Sequence, residues 1–261
     1  MLGTSGEFPY LSDRQKAEVL TVAVAAARGR VPVLAGVLET STRRAIDLAA
    51  TARDAGADAV VAAAPFYADQ SPDEIVGHFE ALATSSGLPV VAYNIPSRVH
   101  TTLTPGMVER LAAAGTIVGL KDSGQDLGAF REVCALASPT FSTMTGSEHI
   151  VDAALLIGAA GAVPGLANVD PEGFVTLYDF ALAGKWEDAR HEQDRLARLA
   201  SIITAGRTDA VGFDSAAYGG FKEALVARGV ITSASTGIAA AALPPSARVH
   251  VRSALQRAGL A

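Results

Sequence analysis

The chain has 261 residues, 49% of them hydrophobic and 18% charged, with a formal net charge of −6. That balance excludes a disordered chain and provides a sizeable core, arranged as one large α/β barrel or as two ordinary domains. No basic run or basic helix face is present, so the chain carries no nucleic-acid footprint.

In chain order the pattern alternates helix and strand. Leu11-Ser12-Asp13 reads as a helix start, with the helix continuing to about residue 27, and residues 31–36 read as a buried strand. Ser41-Thr42 opens a helix that ends at Gly56; residues 59–63 form a strand stopped by Pro65. Ser71-Pro72-Asp73-Glu74 places Ser at a cap and Pro at the first helical position, and a strand at 89–94 ends at Pro96. Thr104-Pro105 opens the next helix in the same way, followed by a strand at 117–121, a helix at 126–136 and a strand at 141–145. A helix at 148–157 and a short strand at 161–164 follow. From Asp170-Pro171 onward the pattern is helical, through residue 178, then at 186–205, 216–228 and 245–258; residues 232–242 read as a loop or frayed helix.

Such units imply a parallel sheet with helical crossovers, and strands apolar throughout suit a sheet covered on both faces. The expected fold is therefore α/β, a TIM (β/α)8-type barrel with a C-terminal helical extension. Six full strands are counted, with Met1-Leu2-Gly3 as the tail of another, whereas a closed barrel holds eight. Residues 1–170 are assigned to the barrel strands and helices. Residues 171–261 are assigned to the last barrel helix and the extension of the same domain.

The lone Cys134 cannot form an internal disulfide, and the opening residues lack a basic, apolar leader, so a cytoplasmic location is expected. The longest apolar stretch, 153–169, is broken by Gly158, Gly161, Pro164, Gly165 and Asn168, so no membrane span is expected. The five His show no metal-ligand spacing, and neither a phosphate loop nor a dinucleotide fingerprint is present. No metal and no organic cofactor are expected.

Among the four Lys, only Lys121 stands where a strand leaves a sheet interior; Lys16, Lys185 and Lys222 lie in polar, helix-like segments open to water. Burial favours the neutral form of an amine, and a neutral amine attacks carbonyls to form a Schiff base. The alternative is a strand-end lysine paired with Asp122. In a barrel the working residues gather at the C-terminal strand ends. There Thr4 and Ser5 could hold a carboxylate or simply build a turn. Tyr93 could act as general acid and base or fill the core. Tyr67 could relay protons to it or form a surface or subunit contact. Arg98 could bind a distal carboxylate or remain a solvated charge. Gly146 and Val163, at the ends of the following strands, complete the candidate substrate-binding set.

Four segments in this order carry a family resemblance: Gly3-Thr4-Ser5-Gly6-Glu7, Tyr93-Asn94-Ile95-Pro96-Ser97-Arg98, Gly119-Leu120-Lys121-Asp122-Ser123 and Leu166-Ala167-Asn168-Val169. Together they resemble the dihydrodipicolinate synthase and N-acetylneuraminate lyase superfamily of class I aldolases. The resemblance implies Lys121 as the Schiff-base residue, Tyr93 as the catalytic tyrosine and Thr4 and Ser5 as carboxylate binders. It also implies that Tyr67 reaches into a neighbouring subunit of a homo-oligomer, a dimer or tetramer.

Within the family, Gly6-Glu7-Phe8-Pro9-Tyr10-Leu11-Ser12, Lys121-Asp122-Ser123-Gly124 and Gly184-Lys185-Trp186-Glu187-Asp188-Ala189 are similar to 4-hydroxy-2-oxoglutarate aldolase, which implies a substrate-carboxylate contact for Ser123. Arg98 stands instead where dihydrodipicolinate synthases bind aspartate semialdehyde. The expected function is a Schiff-base lyase acting on pyruvate or another small 2-oxo acid, with dihydrodipicolinate synthase and a non-catalytic 2-oxo acid binding paralogue as alternatives. The resemblance also implies a βα unit, on the order of 40–50 residues, ahead of Gly3. The barrel is accordingly expected to lack that first unit and the chain to be poorly stable or to associate.

Overall fold

The structure is a computed structural model that describes residues 1–238 and 243–261. It divides into two compact units, Met1–Gly146 with Ile157–Ala162, and Ser147–Leu156 with Val163–Ala261.

The first unit is an α/β body on an all-parallel six-stranded sheet: β1 (Leu34–Gly36), β2 (Ala59–Ala63), β3 (Val90–Asn94), β4 (Gly119–Asp122), β5 (Ser142–Thr145) and β6 (Gly161–Ala162). Spatial order follows chain order, each strand lying beside its predecessor. This is the singly wound order of barrel-type βα folds, not the reversed order of a doubly wound sheet. Helices α1 (Asp13–Ala27), α2 (Thr42–Asp54), α3 (Pro72–Ser86), α4 (Pro96–Val99), α5 (Pro105–Ala113) and α6 (Leu127–Cys134) accompany it. Caps written in the sequence start them. The Ser12 and Ser71 hydroxyls each accept from a third-residue N–H, while Gln15 and Glu74 reach back to the cap. The Thr104 hydroxyl accepts from Met107 N–H ahead of Pro105. The core is made of small and branched residues, including Ala35, Val60, Ala62, Val90, Ala92 and Leu120, packed on Leu20, Leu48, Phe79, Leu82 and Leu111.

The second unit is helical: α7 (Val151–Leu156), α8 (Pro171–Leu182), α9 (Trp186–Leu199), α10 (Phe213–Ala227) and α11 (Pro245–Arg257). Arg195 of α9 donates to Asp170 at 2.6 Å, to Glu192 at 2.5 Å and to the Ala258 carbonyl at 3.1 Å, while Asp170 caps α8 through Gly173 N–H. Gly173 is required there, because a Cβ would lie 2.2 Å from the Arg195 guanidinium.

Several expectations are corrected. The strand expected at 31–36 is ordered as strand only over Leu34–Gly36, and the one at 161–164 only over Gly161–Ala162. Met1 is not part of a strand, although its carbonyl accepts from Gly36 N–H in ladder fashion. Pro96–Val99 forms a helical turn where a loop was expected. The helix expected at 148–157 is limited to Val151–Leu156, and that at 186–205 gives way after Leu199 to the 3-10 turn Ala200–Ile203. Of the loop expected at 232–242, residues 239–242 lie outside the described residues. No helix among the described residues is long and apolar enough to cross a membrane.

Candidate active site

Strand register explains which residues meet. Directly paired residues of parallel neighbours face the same side of a sheet, and successive residues alternate. Tyr93 pairs with Lys121 and Lys121 with Met144; Asn94 pairs with Asp122 and Asp122 with Thr145. Lys121 and Tyr93 therefore share one face, and Asp122 and Asn94 the other. The Asp122 face is the one covered by helix: Leu120 and Asp122, with Phe130 and Val133 of α6, line a cavity of about 520 Å³.

On the opposite face the Lys121 amine stands 4.2 Å from the centroid of the Tyr93 ring. The Tyr93 hydroxyl shares a hydrogen bond with Thr4 Oγ1 at 3.4 Å and accepts one from Ser123 Oγ at 3.5 Å. Ser123 lies two residues beyond Lys121 and so returns to its face. Gly146, just past β5, completes the group. A Cβ there would fall 2.0 Å from Ser123 Oγ and 2.9 Å from Lys121 Cε, so only glycine leaves both in place. The structure thus gathers Lys121, Tyr93, Thr4, Ser123 and Gly146 around one point. Tyr93 is buried, and Lys121, Thr4 and Ser123 are half-buried.

Ser5 is exposed, one residue along the 3-10 turn Thr4–Gly6. Tyr67 is 100% exposed, with backbone φ of +93°, a region bulky residues rarely occupy. Arg98 is half-buried on α4. Val163 follows β6 and belongs to the second unit.

The alternative pairing of Lys121 with Asp122 is not observed. The Asp122 carboxylate accepts from Asn94 Nδ2 at 2.8 Å and from Gly124 N–H at 2.9 Å, and Asn94 Oδ1 accepts from Leu103 N–H at 3.0 Å. Burial pushes the Asp122 carboxyl up from its ordinary value, against the pull of the Gly124 and Asn94 bonds. This lattice ties β3, β4 and the loop beyond α4 together on the face opposite Lys121. Two-residue alternation along the strand, legible in the sequence, separates Lys121 from Asp122.

A second correction concerns Lys16, expected to reach water. It is only 5% exposed, more deeply buried than Lys121, and its amine donates to Glu39 Oε1 at 2.5 Å. The sequence holds no local sign of this, since its partner stands 23 residues away. Among the described residues no group of three or more His, Cys, Asp or Glu could hold a metal ion.

With this geometry in view, the sequence matches the Dihydrodipicolinate synthetase family over residues 1–236. The chain belongs to that family. The 4-hydroxy-tetrahydrodipicolinate synthase of Syntrophus aciditrophicus (strain SB) is 34% identical over 201 residues, 77% of this chain and 69% of that protein. The synthase of Hyphomonas neptunium (strain ATCC 15444) is 38% identical over 200 residues, 76% of this chain and 68% of that one. Across three such curated relatives the matched stretch spans 63–69% of their own length. A solved structure of YagE, a prophage protein of the dihydrodipicolinic acid synthase family from E. coli K12 in complex with pyruvate, superposes with a TM-score of 0.90 at 29% identity. It covers all of this chain and 86% of that one. The dihydrodipicolinate synthase family is one of class I, Schiff-base-forming aldolases and lyases, and its TIM-barrel-like α/β fold accounts for the parallel sheet of the first unit.

Proposed function

We propose that Lys121 forms a Schiff base with the carbonyl of pyruvate or a related 2-oxo acid, and that the chain cleaves or joins a carbon–carbon bond at the neighbouring carbon. The observation that carries this is the Lys121 amine standing over a buried Tyr93 whose hydroxyl meets those of Thr4 and Ser123. Attack of the amine on C2 gives a carbinolamine, which must gain a proton to lose water. The Tyr93 hydroxyl is the group placed to supply it, and Thr4 to restore it. In cleavage the iminium takes up the electrons of the C3–C4 bond to give an enamine, whose C3 then gains a proton; in condensation the iminium loses a C3 proton to give the enamine, whose C3 attacks the aldehyde. Thr4 and Ser5 hold the 2-oxo acid's carboxylate in this reading, with Gly146 bounding its position.

For the second substrate, Ser123 favours a 4-hydroxy-2-oxoglutarate aldolase-like reaction, its hydroxyl binding the distal carboxylate. Arg98, together with the names of the curated relatives, favours condensation of pyruvate with aspartate semialdehyde. Turnover of the two candidate substrate pairs, measured side by side, separates these readings.

The reading takes the six strands as part of a TIM (β/α)8-type barrel. It places Tyr67 in a second copy's site: the ring is wholly exposed, and its φ of +93° is a strain found where function requires it. Mixing Lys121→Ala copies with Tyr67→Phe copies then restores activity that neither has alone, and no gain on mixing sinks that placement.

The decisive experiment is borohydride trapping with pyruvate, followed by peptide mass spectrometry. A reduced adduct on Lys121, absent in Lys121→Ala, supports the reading. A folded chain that gives no adduct overturns it and favours a non-catalytic 2-oxo acid binding protein.

A further inference from the structure

Lys16 sits in the first turns of α1, and its amine is aimed at Glu39, which is 8% exposed and follows the end of β1. Glu39 divides its carboxylate. Oε1 accepts from Lys16 at 2.5 Å and Oε2 from Arg44 Nε at 2.9 Å, while Arg44 also reaches Asp13 at 3.4 Å. The Lys16 amine stands 5.9 Å from the centre of the Phe8 ring. Burial works against the Glu39 charge, and the bonds from Lys16 and Arg44 outweigh it, holding the carboxyl below its ordinary value.

A buried ion pair is a poor choice if the need is only to fasten a helix to a strand. Apolar side chains of the same volume do as well or better, and what a pair adds is a defined register. The segment given that register carries Thr4. Two contacts with the β1 segment bracket Thr4. At one, the Leu2 carbonyl comes so near Gly36 that a Cβ on Gly36 would fall 2.2 Å from it. At the other, Lys16 meets Glu39. Between them the Thr4 hydroxyl reaches Tyr93 at 3.4 Å, near the limit of a hydrogen bond, where a few tenths of an ångström decide whether the bond exists.

We propose that Lys16 and Glu39 are positioning residues for the reaction: the pair sets the Thr4 hydroxyl against Tyr93 and so keeps open the proton path through that phenol. This rests on the Schiff-base reading above and extends it to a pair outside the site.

The test is the charge-free double variant Lys16→Met/Glu39→Met, which leaves neither partner buried alone; Arg44, with 52% of its side chain exposed, can turn to water. Two readouts are taken well below the melting temperature: borohydride trapping of pyruvate, and exchange of pyruvate's methyl protons with deuterated water, followed by NMR. Trapping at Lys121 persists, because the nucleophile's strand is untouched. Exchange falls about tenfold, part of the ~10²–10⁴ that a positioned proton-transfer group contributes. Thr4→Val, costly in the parent, adds little in the double variant, because the bond it removes is already lost. If exchange in the double variant equals the parent's and Thr4→Val costs the same in both, the pair is only a fastening and the proposal is overturned. Lys16→Arg, which keeps the charge but changes its reach, guards against a double variant that fails to fold. It slows exchange several-fold without loss of trapping, and parental exchange in it likewise overturns the proposal. Absence of any Lys121 adduct in the parent chain refutes the Schiff-base reading instead, before a variant is made.

Discussion

Replacing Gly146 by Ala tests the site with one carbon atom. The backbone of Gly146 lies outside the left-handed region, so alanine meets no conformational penalty and the effect is steric alone. The new Cβ would stand 2.0 Å from Ser123 Oγ and 2.9 Å from Lys121 Cε, against a floor of 3.0 Å for real contacts. Ser123 Oγ has to move by about 1 Å or more, which breaks its bond to Tyr93, and Lys121 by a tenth or more. Overpacking of this kind costs about 1–3 kcal/mol of stability. A misplacement of about 1 Å beside the reacting amine costs up to about 10²-fold in rate. The expected outcome is a chain that still folds, with a melting temperature a few degrees lower and pyruvate trapping at Lys121 slowed by one to two orders of magnitude. The double variant Ser123→Ala/Gly146→Ala takes away the oxygen that the new methyl displaces and recovers part of the trapping rate, the lost Tyr93 bond and the Lys121 contact accounting for the rest. Trapping by Gly146→Ala at the parental rate, or a double variant no faster than the single, refutes the steric account.

His78 on α3 is 3% exposed and bonded to Thr42 at 2.9 Å; burial lowers its pKa from 6.5 to about 4. The folded state therefore prefers the neutral ring. Its contribution is fully present above pH 6.5 and is lost as pH falls from 6.5 towards 4, about 3 kcal/mol in total. Urea midpoints at pH 7 and pH 4.5, compared between the parent and His78→Asn, check this: the parent loses more stability than the variant, and equal losses sink the assignment. Asn94→Ala removes one of the two donors to the Asp122 carboxylate, leaving it the Gly124 bond, and leaves the buried Leu103 N–H unpaired at about 1–3 kcal/mol. A fall in stability of about 2–4 kcal/mol by chemical denaturation is expected, and an unchanged midpoint counts against the lattice on the face opposite Lys121.

Most of the first unit was legible because its signals are local. Ser12, Ser71 and Thr104 cap their helices where expected, and residues 59–63 form the strand expected of them. The cluster of Lys121, Tyr93 and Thr4 was named from strand ends and from the family resemblance. What stayed hidden depends on distance or on strain. The bond between Lys16 and Glu39 joins two segments whose local patterns are both ordinary and polar. The Pro96–Val99 turn is too short to show a period. The role of Gly146 follows from a gap measured in tenths of an ångström, which composition does not carry. The separation of Lys121 from Asp122 is different, since two-residue alternation alone would have shown it.

The order of the strands has a consequence for how the molecule is made. Each strand lies beside the one synthesised just before it, so a growing chain can add one βα unit at a time to a single open edge. The residues of the candidate site are made in chain order. Thr4 is made early, Tyr93 and Lys121 follow, and the glycine that gives them room comes 142 residues after Thr4. At roughly 5–20 residues per second, a ribosome needs between about 7 and 28 s to cover that interval. Throughout it the nascent chain holds hydroxyls without their phenol, or a lysine without its boundary. The group around Lys121 is complete only once β5 has emerged and docked.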